Sequence, residues 1–302
     1  MNLLVILGPT ASGKTALGVQ AARALDGEII SADSRQVFRG MDIGTGKDLA
    51  EYGDVPCHLI DIAEPGSEFS VFEFQRCFFA AFEDIRRRGK LPVMVGGTGL
   101  YLEAVLQGYR MVEVPENPLL RKELSVLSDN ALRERLMLLR PEQHNVTDLQ
   151  DRERLVRAVE IAEGTAAAER ELPALPVLDP AIFGLRWERS ELRGRIRRRL
   201  LERLEQGMVE EVQRLLDAGV SHESLEYYGL EYRYLSRYLR GELNYNDMVQ
   251  KLSAAIGQFA KRQETWFRRM ERRGTIIHWL DPLNEPLARL LDSLGLSARD
   301  SL

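Results

Sequence analysis

The chain has 302 residues, of which 44% are hydrophobic and 29% charged, with a formal net charge of −5. That length holds one large domain or two modest ones, and the composition is that of an ordinary soluble globular protein. The acidic balance argues against indiscriminate nucleic-acid binding and leaves room for a local basic groove.

The first segment organises the rest. Leu3 to Leu7 is a continuous apolar run, which predicts a strand buried on both faces. Gly8, Pro9, Thr10, Ala11, Ser12, Gly13, Lys14 and Thr15 follow and match the phosphate-cradling pattern G-x-x-x-x-G-K-[ST]. In such a loop several N–H groups converge on one anion. Lys14 adds a charge, Thr15 offers a hydroxyl to Mg²⁺, and the next helix points its positive end at the phosphate. The loop implies a bound di- or triphosphate and does not say which.

Glu28 to Asp33 reads as a second strand, with Asp33, Ser34, Arg35 and Gln36 at its carboxyl end, where open α/β sheets bind ligands. Asp33 has an ordinary alternative as a turn residue. Gly40 to Lys47 reads as a loop near the site, and Pro56 to Ile62 as a strand. Ser70 is placed to cap a helix running to about Arg88, with Phe72, Phe78, Phe79, Phe82 and Ile85 as its core face. Leu91 to Val95 is a buried strand that ends in Gly96-Gly97-Thr98-Gly99. Strands alternating with helices predict a parallel α/β sheet. A phosphate-hydrolysing enzyme of this class would end that strand in a Mg²⁺-binding acid. Here it ends in glycines, which leaves Asp61 as the alternative.

From Val114 to Pro180 the character changes. Prolines, including Pro141 and Pro173, punctuate helical runs over Leu119–Leu127, Ala131–Leu139 and Leu149–Ile161. Arg121, Arg152, Arg154 and Arg157 lie on them, and a solvated face paired with Glu153 and Glu160 explains them on charge alone. Ala181 to Leu185 returns as a strand. One long helix is expected next, its apolar stripe running Leu192, Ile196, Leu200, Leu204, Met208, Val212 and Leu216. Beside the stripe stand six arginines within Arg193–Arg203, and Arg195 and Arg199 are one turn apart, so both can face one anion. The aromatic cluster Tyr227, Tyr228, Tyr232 and Tyr234 is able to stack bases or to pack. A last long helix spans about Asp247 to Arg273, followed by a strand over Ile276–Leu280 and a short tail helix.

Five segments together resemble the tRNA dimethylallyltransferase family: Gly8–Thr15; Asp33-Ser34-Arg35-Gln36 with Gly40–Thr45; Gly96–Tyr101; Asp151–Glu160; and Ala260-Lys261-Arg262-Gln263-Glu264-Thr265-Trp266-Phe267-Arg268. They span nearly the whole chain in the family's order. The resemblance implies an α/β fold of the P-loop NTPase type, a parallel sheet flanked by helices with a small all-helical insertion. It implies a catalytic core over 1–113 and 181–302 and a tRNA-binding insertion over 114–180. The implied reaction transfers a dimethylallyl group from dimethylallyl diphosphate to N6 of adenine 37 in tRNA. The loop Gly8–Thr15 would hold the diphosphate with Mg²⁺ on Thr15. Asp33 would be the general base, with Thr98, Lys14 and Arg195 as the other catalytic residues. Asp33, Ser34, Arg35, Gln36, Thr98, Arg121, Glu153, Arg154, Leu155, Val156, Arg157, Lys261 and Arg262 would touch the anticodon stem-loop. The chain departs from the family's pattern at Glu226, Leu230, Ile256 and Gly257, all on the RNA side.

Two further readings use the same loop: prenylation of a free adenine nucleotide, and an ATP-binding small-molecule kinase. A non-catalytic RNA-binding module is a third. Cys57 and Cys77 lack zinc spacing, no apolar run reaches membrane length, and no basic segment precedes the first apolar run. A cytoplasmic monomer without membrane contact is expected.

Overall fold

The computed structural model describes residues 1–111, 114–139, 151–168 and 174–296. Pro141, Leu149 and Pro173 lie outside them. The described chain forms two compact units, Met1–Gln107 with Pro176–Leu302, and Gly108–Leu175.

The first unit is built on six strands: β1 (Leu3–Leu7), β2 (Gly27–Ala32), β3 (Cys57–His58), β4 (Leu91–Gly96), β5 (Pro180–Leu185) and β6 (His278–Leu280). Their order is β3-β2-β4-β1-β5-β6 and every pairing is parallel. All five residues of β1 are fully buried, as a central strand covered on both faces requires. Helix α1 (Lys14–Ala24) lays Leu17, Val19, Ala21 and Ala22 against Leu4, Ile6, Ile29, Val93 and Val95. Ser70 caps α2 (Val71–Arg87) through a reciprocal capping box with Glu73. Phe74, Phe78, Phe79, Phe82 and Ile85 are buried, and Phe74 stacks on Tyr101 of α3 (Gly99–Leu106) with ring centroids 4.0 Å apart.

Three expectations need correction. The strand expected over Pro56–Ile62 pairs only at Cys57–His58, because Leu59 and Asp61 take left-handed backbone (φ 65° and 54°) that a strand cannot accommodate. The strand expected over Ile276–Leu280 pairs only from His278. The long helix after β5 is two helices, α7 (Arg189–Glu205) and α8 (Met208–Asp217), broken at Gly207 with φ 97°. The apolar stripe continues across the break, but its last buried position moves from Leu216 to Leu215.

Helices α7 and α8 join α9 (His222–Tyr227), α10 (Leu230–Leu239) and α11 (Tyr245–Arg272) around a second core that includes Ile196, Leu200, Met208, Val212, Leu235, Met248, Leu252 and Ile256. Tyr228 and Tyr232 are buried in it, so these two rings pack; Tyr227 stays exposed. Helix α12 (Pro286–Ser293) sends Leu290 and Leu291 into the sheet-side core.

The second unit contains α4 (Pro118–Ser125), α5 (Asp129–Leu139) and α6 (Arg152–Ala168). Its own core is Leu124, Leu132, Leu136, Leu155, Val159 and Ala162. Among the described residues no helix is long and apolar enough to cross a membrane.

Candidate active site

The site begins with strand register. Leu7 pairs with Gly96, and Gly96 pairs with Ala32, so β1, β4 and β2 end level with one another. The phosphate loop, the Gly97-Thr98 turn and Asp33 therefore leave the sheet side by side. At the usual strand spacing, the first and last are two strands, or roughly 10 Å, apart.

The loop is gripped from outside by groups distant in sequence. Trp187 Nε1 donates to Ser12 O at 2.8 Å, and Arg195 Nε donates to Ala11 O at 2.9 Å. The Arg195 guanidinium lies 4.3 Å from the centre of the Trp187 ring. Arg199 donates to the Thr10 hydroxyl. Thr10 N donates to Gln263 Oε1 at 2.8 Å. Arg195, Arg199 and Arg203 recur at four-residue spacing, so one face of α7 supplies all three guanidinium groups. Arg203 is nearly buried and pairs with Asp48 at 3.0 Å.

Between the loop and α7 lies a cavity of about 150 Å³. Lys14 and Thr15 line it from the loop, Arg195, Arg198 and Arg199 from the helix, and Asp48 and Glu51 from the opposite loop. Burial pushes the Lys14 ammonium down to about 8; Asp33 opposes that shift, and Arg199 and Arg203 add to it. Burial, then Arg203, lowers the Arg199 guanidinium to about 10. Arg195 is lowered as well, by burial first. Cations that depress one another inside a cavity form a receptor for a polyanion, because a bound anion relieves both the desolvation and the repulsion.

Asp33 and Thr98 form the adjoining corner. Asp33 Oδ1 accepts from Arg35 N at 2.9 Å, which makes it a turn residue and fixes the plane of its carboxylate. Thr98 Oγ1 accepts from Ser34 N at 3.1 Å, so its own hydroxyl proton is left to donate elsewhere. Arg35 lies over the exposed Tyr227 ring, 5.0 Å from its centre. Gln36 is different: it is buried, its Oε1 takes Ser31 Oγ at 2.9 Å and its Nε2 donates to Gly46 O at 3.0 Å. That makes it a brace for the glycine-rich loop.

The same loop is locked from two other sides. Lys47, fully buried, pairs with Asp42 and Asp61. Asp61 is thus committed to an internal ion pair and does not line the cavity, which corrects its reading as a Mg²⁺ ligand. Glu211 accepts from the N–H groups of Asp42, Ile43 and Gly44 at 2.8–2.9 Å and from the Tyr232 hydroxyl at 2.7 Å.

Lys261 and Arg262 are exposed on α11. In the second unit, Arg121 and Arg157 both pair with Glu160, at 3.0 and 2.6 Å. Burial opposes ionisation of Glu160, but the Asn117 N–H and the two arginines outweigh it and hold its carboxyl below the usual range. Glu153 and Arg154 are exposed, Val156 is half-buried, and Leu155 packs into that unit's own core. The departures from the family's pattern also have structural places. Ile256 is in the core, a Cβ on Gly257 would meet nothing within 4 Å, and Glu226 pairs with Arg240.

Trp187, Asp48, Glu51 and Glu211 carry no motif and no periodicity, so nothing in the sequence marks them as parts of the site. Gln263 lies inside the Ala260–Arg268 segment, where only the segment as a whole is a signal.

The sequence model of the IPP transferase family matches residues 36–270. The chain is 70% identical to tRNA dimethylallyltransferase 2 of Syntrophotalea carbinolica, over 96% of this chain and 97% of that protein. It is 65% identical to tRNA dimethylallyltransferase 1 of Geotalea uraniireducens, over 98% of each. Its fold is similar to the crystal structure of the full-length tRNA isopentenylpyrophosphate transferase of Bacillus halodurans, with TM-score 0.71, 33% identity, and 97% and 95% of the two chains covered.

Proposed function

The chain belongs to the IPP transferase family, and from that premise we propose that it transfers a dimethylallyl group from dimethylallyl diphosphate to N6 of adenine 37 in tRNA, releasing diphosphate. The observation that carries this reading is the pairing of a cationic cavity on the phosphate loop with Asp33 and Thr98 at the adjoining strand ends.

The loop amides, Lys14, Arg195 and Arg199 would hold the diphosphate. As the allylic C–O bond breaks, negative charge grows on the departing oxygen, and these preplaced donors stabilise it. The N6 amine is a weak nucleophile, its lone pair delocalised into the ring. The new N–C bond forms as Asp33 takes the N6 proton, a contribution of about 10²–10⁴-fold. Thr98, with its hydroxyl proton unspent, would orient the adenine. Electrons and charge balance: the amine loses a proton to Asp33 and diphosphate leaves with the bonding pair.

Thr15, Asp48, Glu51 and Glu202 offer oxygen donors to the same cavity, Asp48 through the carboxylate oxygen that Arg203 leaves free. Carboxylates inside an anion site fit a hard divalent cation, and Mg²⁺ is the ion we assign to them. Among the described residues no group of three or more His, Cys, Asp or Glu is placed to cage a metal, so substrate phosphate would complete its shell. When bound, Mg²⁺ supplies charge neutralisation at the leaving group.

The anticodon stem-loop is the proposed acceptor. Ser34, Arg35, Lys261, Arg262 and the exposed Arg154 are its contacts of choice, with Arg121, Glu153, Val156 and Arg157 as further candidates from the insertion. Loop nucleotides unstack at low cost, which suits delivery of adenine into a pocket. One chain supplies every proposed catalytic group, in keeping with a monomer, and the cytoplasm, where tRNA is found, is the proposed setting.

The test is incubation with labelled dimethylallyl diphosphate and, separately, total tRNA, AMP or ATP. Label is expected on tRNA, at adenine 37 after digestion. Label on AMP but not tRNA, or ATP turnover without prenyl transfer, would overturn the reading.

A further inference from the structure

Gln263 joins the two halves of the site. It sits on α11, is buried, and spends both ends of its amide. Its Oε1 accepts from Thr10 N in the phosphate loop at 2.8 Å. Its Nε2 donates to Gly97 O at 2.9 Å, one residue before Thr98. From there the hydrogen bonds continue: Thr98 Oγ1 takes Ser34 N at 3.1 Å, beside Asp33. A single side chain thus ties the loop that would hold the leaving group to the corner that would activate the amine.

The surroundings are shaped for this bridge. A Cβ at Gly97 would stand 2.5 Å from Gln263 Nε2 and 2.9 Å from Gly8 O, so only glycine lets the turn come this close to both. The amide also has a chemical requirement. It must accept at one end and donate at the other, as the glutamine amide does; glutamate accepts at both ends and methionine does neither effectively. On the loop side the bond has a second consequence. Thr10 N is turned toward Gln263, while the Thr10 hydroxyl is held by Arg199, so the residue is fixed from two directions.

We infer that Gln263 is a positioning residue for group transfer, which sets the separation between the phosphate loop and the Thr98–Asp33 corner. The inference rests on the reaction proposed above. Its physical basis is that transfer between two bound partners depends steeply on their approach: a misplacement of about 1 Å costs on the order of 10²-fold. A bridge of this kind acts on the chemical step. Each substrate keeps its own direct contacts, so binding of either one is little changed.

The experiment compares wild type, Gln263→Met and Gln263→Glu in single-turnover transfer with both substrates saturating, alongside KM for dimethylallyl diphosphate and the thermal midpoint. Gln263→Met removes both bonds at similar volume. Gln263→Glu keeps the bond from Thr10 N and sets an oxygen against Gly97 O. Both are expected to slow the single-turnover rate about 10–100-fold, with KM within about threefold of wild type and the protein folded at the assay temperature. A packing role would lower the thermal midpoint and leave the rate per folded molecule unchanged. That result, an undiminished rate in either variant, or a loss confined to KM would overturn the inference. If Gln263→Met does not fold, the Gln263→Glu rate decides by itself. Failure of the wild type to modify tRNA would instead sink the assigned reaction, so the two failures are told apart.

Discussion

Two arginine-bearing helices look alike in the sequence and differ in the folded chain. On α6 two of the three charges are spent: Arg152 pairs with Asp129 and donates to the carbonyls of Ser125 and Leu127, and Arg157 pairs with Glu160, while Arg154 stays exposed. On α7, Arg195 and Arg199 touch the phosphate loop through neutral oxygens, Ala11 O and the Thr10 hydroxyl. Among the described residues neither makes an ion pair with a carboxylate. Arginine density therefore says little by itself. What separates the two here is whether the guanidinium makes a direct ion pair or faces a cavity, and that depends on the neighbouring elements. Removing one partner of a buried ion pair leaves an uncompensated charge, whereas a desolvated arginine facing a cavity gains from a bound anion.

The largest effect expected from this contrast is at Arg199. Arg199→Ala should lower transfer by about 10²–10³-fold, as for loss of a preplaced donor to developing charge. Its thermal midpoint should change little, since the substitution relieves burial of the charge and repulsion with Arg203 while removing attraction to Glu231, Asp48 and Asp33. A loss of stability matching the loss of rate would break the comparison. Next comes Arg157. Arg157→Ala removes one of two guanidinium partners from nearly buried Glu160, and should destabilise the second unit by about 1–3 kcal/mol, seen as a lower thermal midpoint. Diphosphate binding should be unchanged. A variant of wild-type stability that binds tRNA weakly would move Arg157 from the structural class to the RNA-binding one.

The smallest effect is a pH dependence. Burial lowers the Lys14 ammonium to about 8, so the free protein loses this charge as pH rises through that value. The protonated form is the one that attracts diphosphate. kcat/KM for dimethylallyl diphosphate should therefore decline above pH 8, by at most about tenfold per unit. Lys14→Arg, whose charge persists, should flatten that decline even if its absolute rate is lower. A profile in which wild type and Lys14→Arg fall together would remove Lys14 as the titrating group.

Much of this was legible from the residues. The apolar run Leu3–Leu7, the loop, and the Ser70 cap are local signals, and local signals carry over into structure. The fold class followed from strand–helix alternation. The shortening of the third strand did not, because left-handed backbone at Leu59 and Asp61 is set by tertiary packing and not by a residue preference. The break at Gly207 was hidden by an apolar stripe that keeps its spacing through Met208 and Val212 and shifts only at Leu215. Lys14 and Arg195, which line the cavity, and Asp33 and Thr98, at the neighbouring strand ends, are legible from motif order and helical spacing. Trp187, Asp48 and Glu211 are not, because each enters the site from a distant element. Arg121 and Arg157 both pair with Glu160, the partner that charge alone suggests.

The central claim is that the unpaired cations on α7 and the loop receive a leaving diphosphate. It is tested most directly by titrating inorganic diphosphate, with Mg²⁺, into wild type, Arg199→Ala and Arg157→Ala by calorimetry. Saturable binding to wild type and Arg157→Ala, weakened at least tenfold in Arg199→Ala, is the predicted result. Equal affinity in all three proteins would contradict the account.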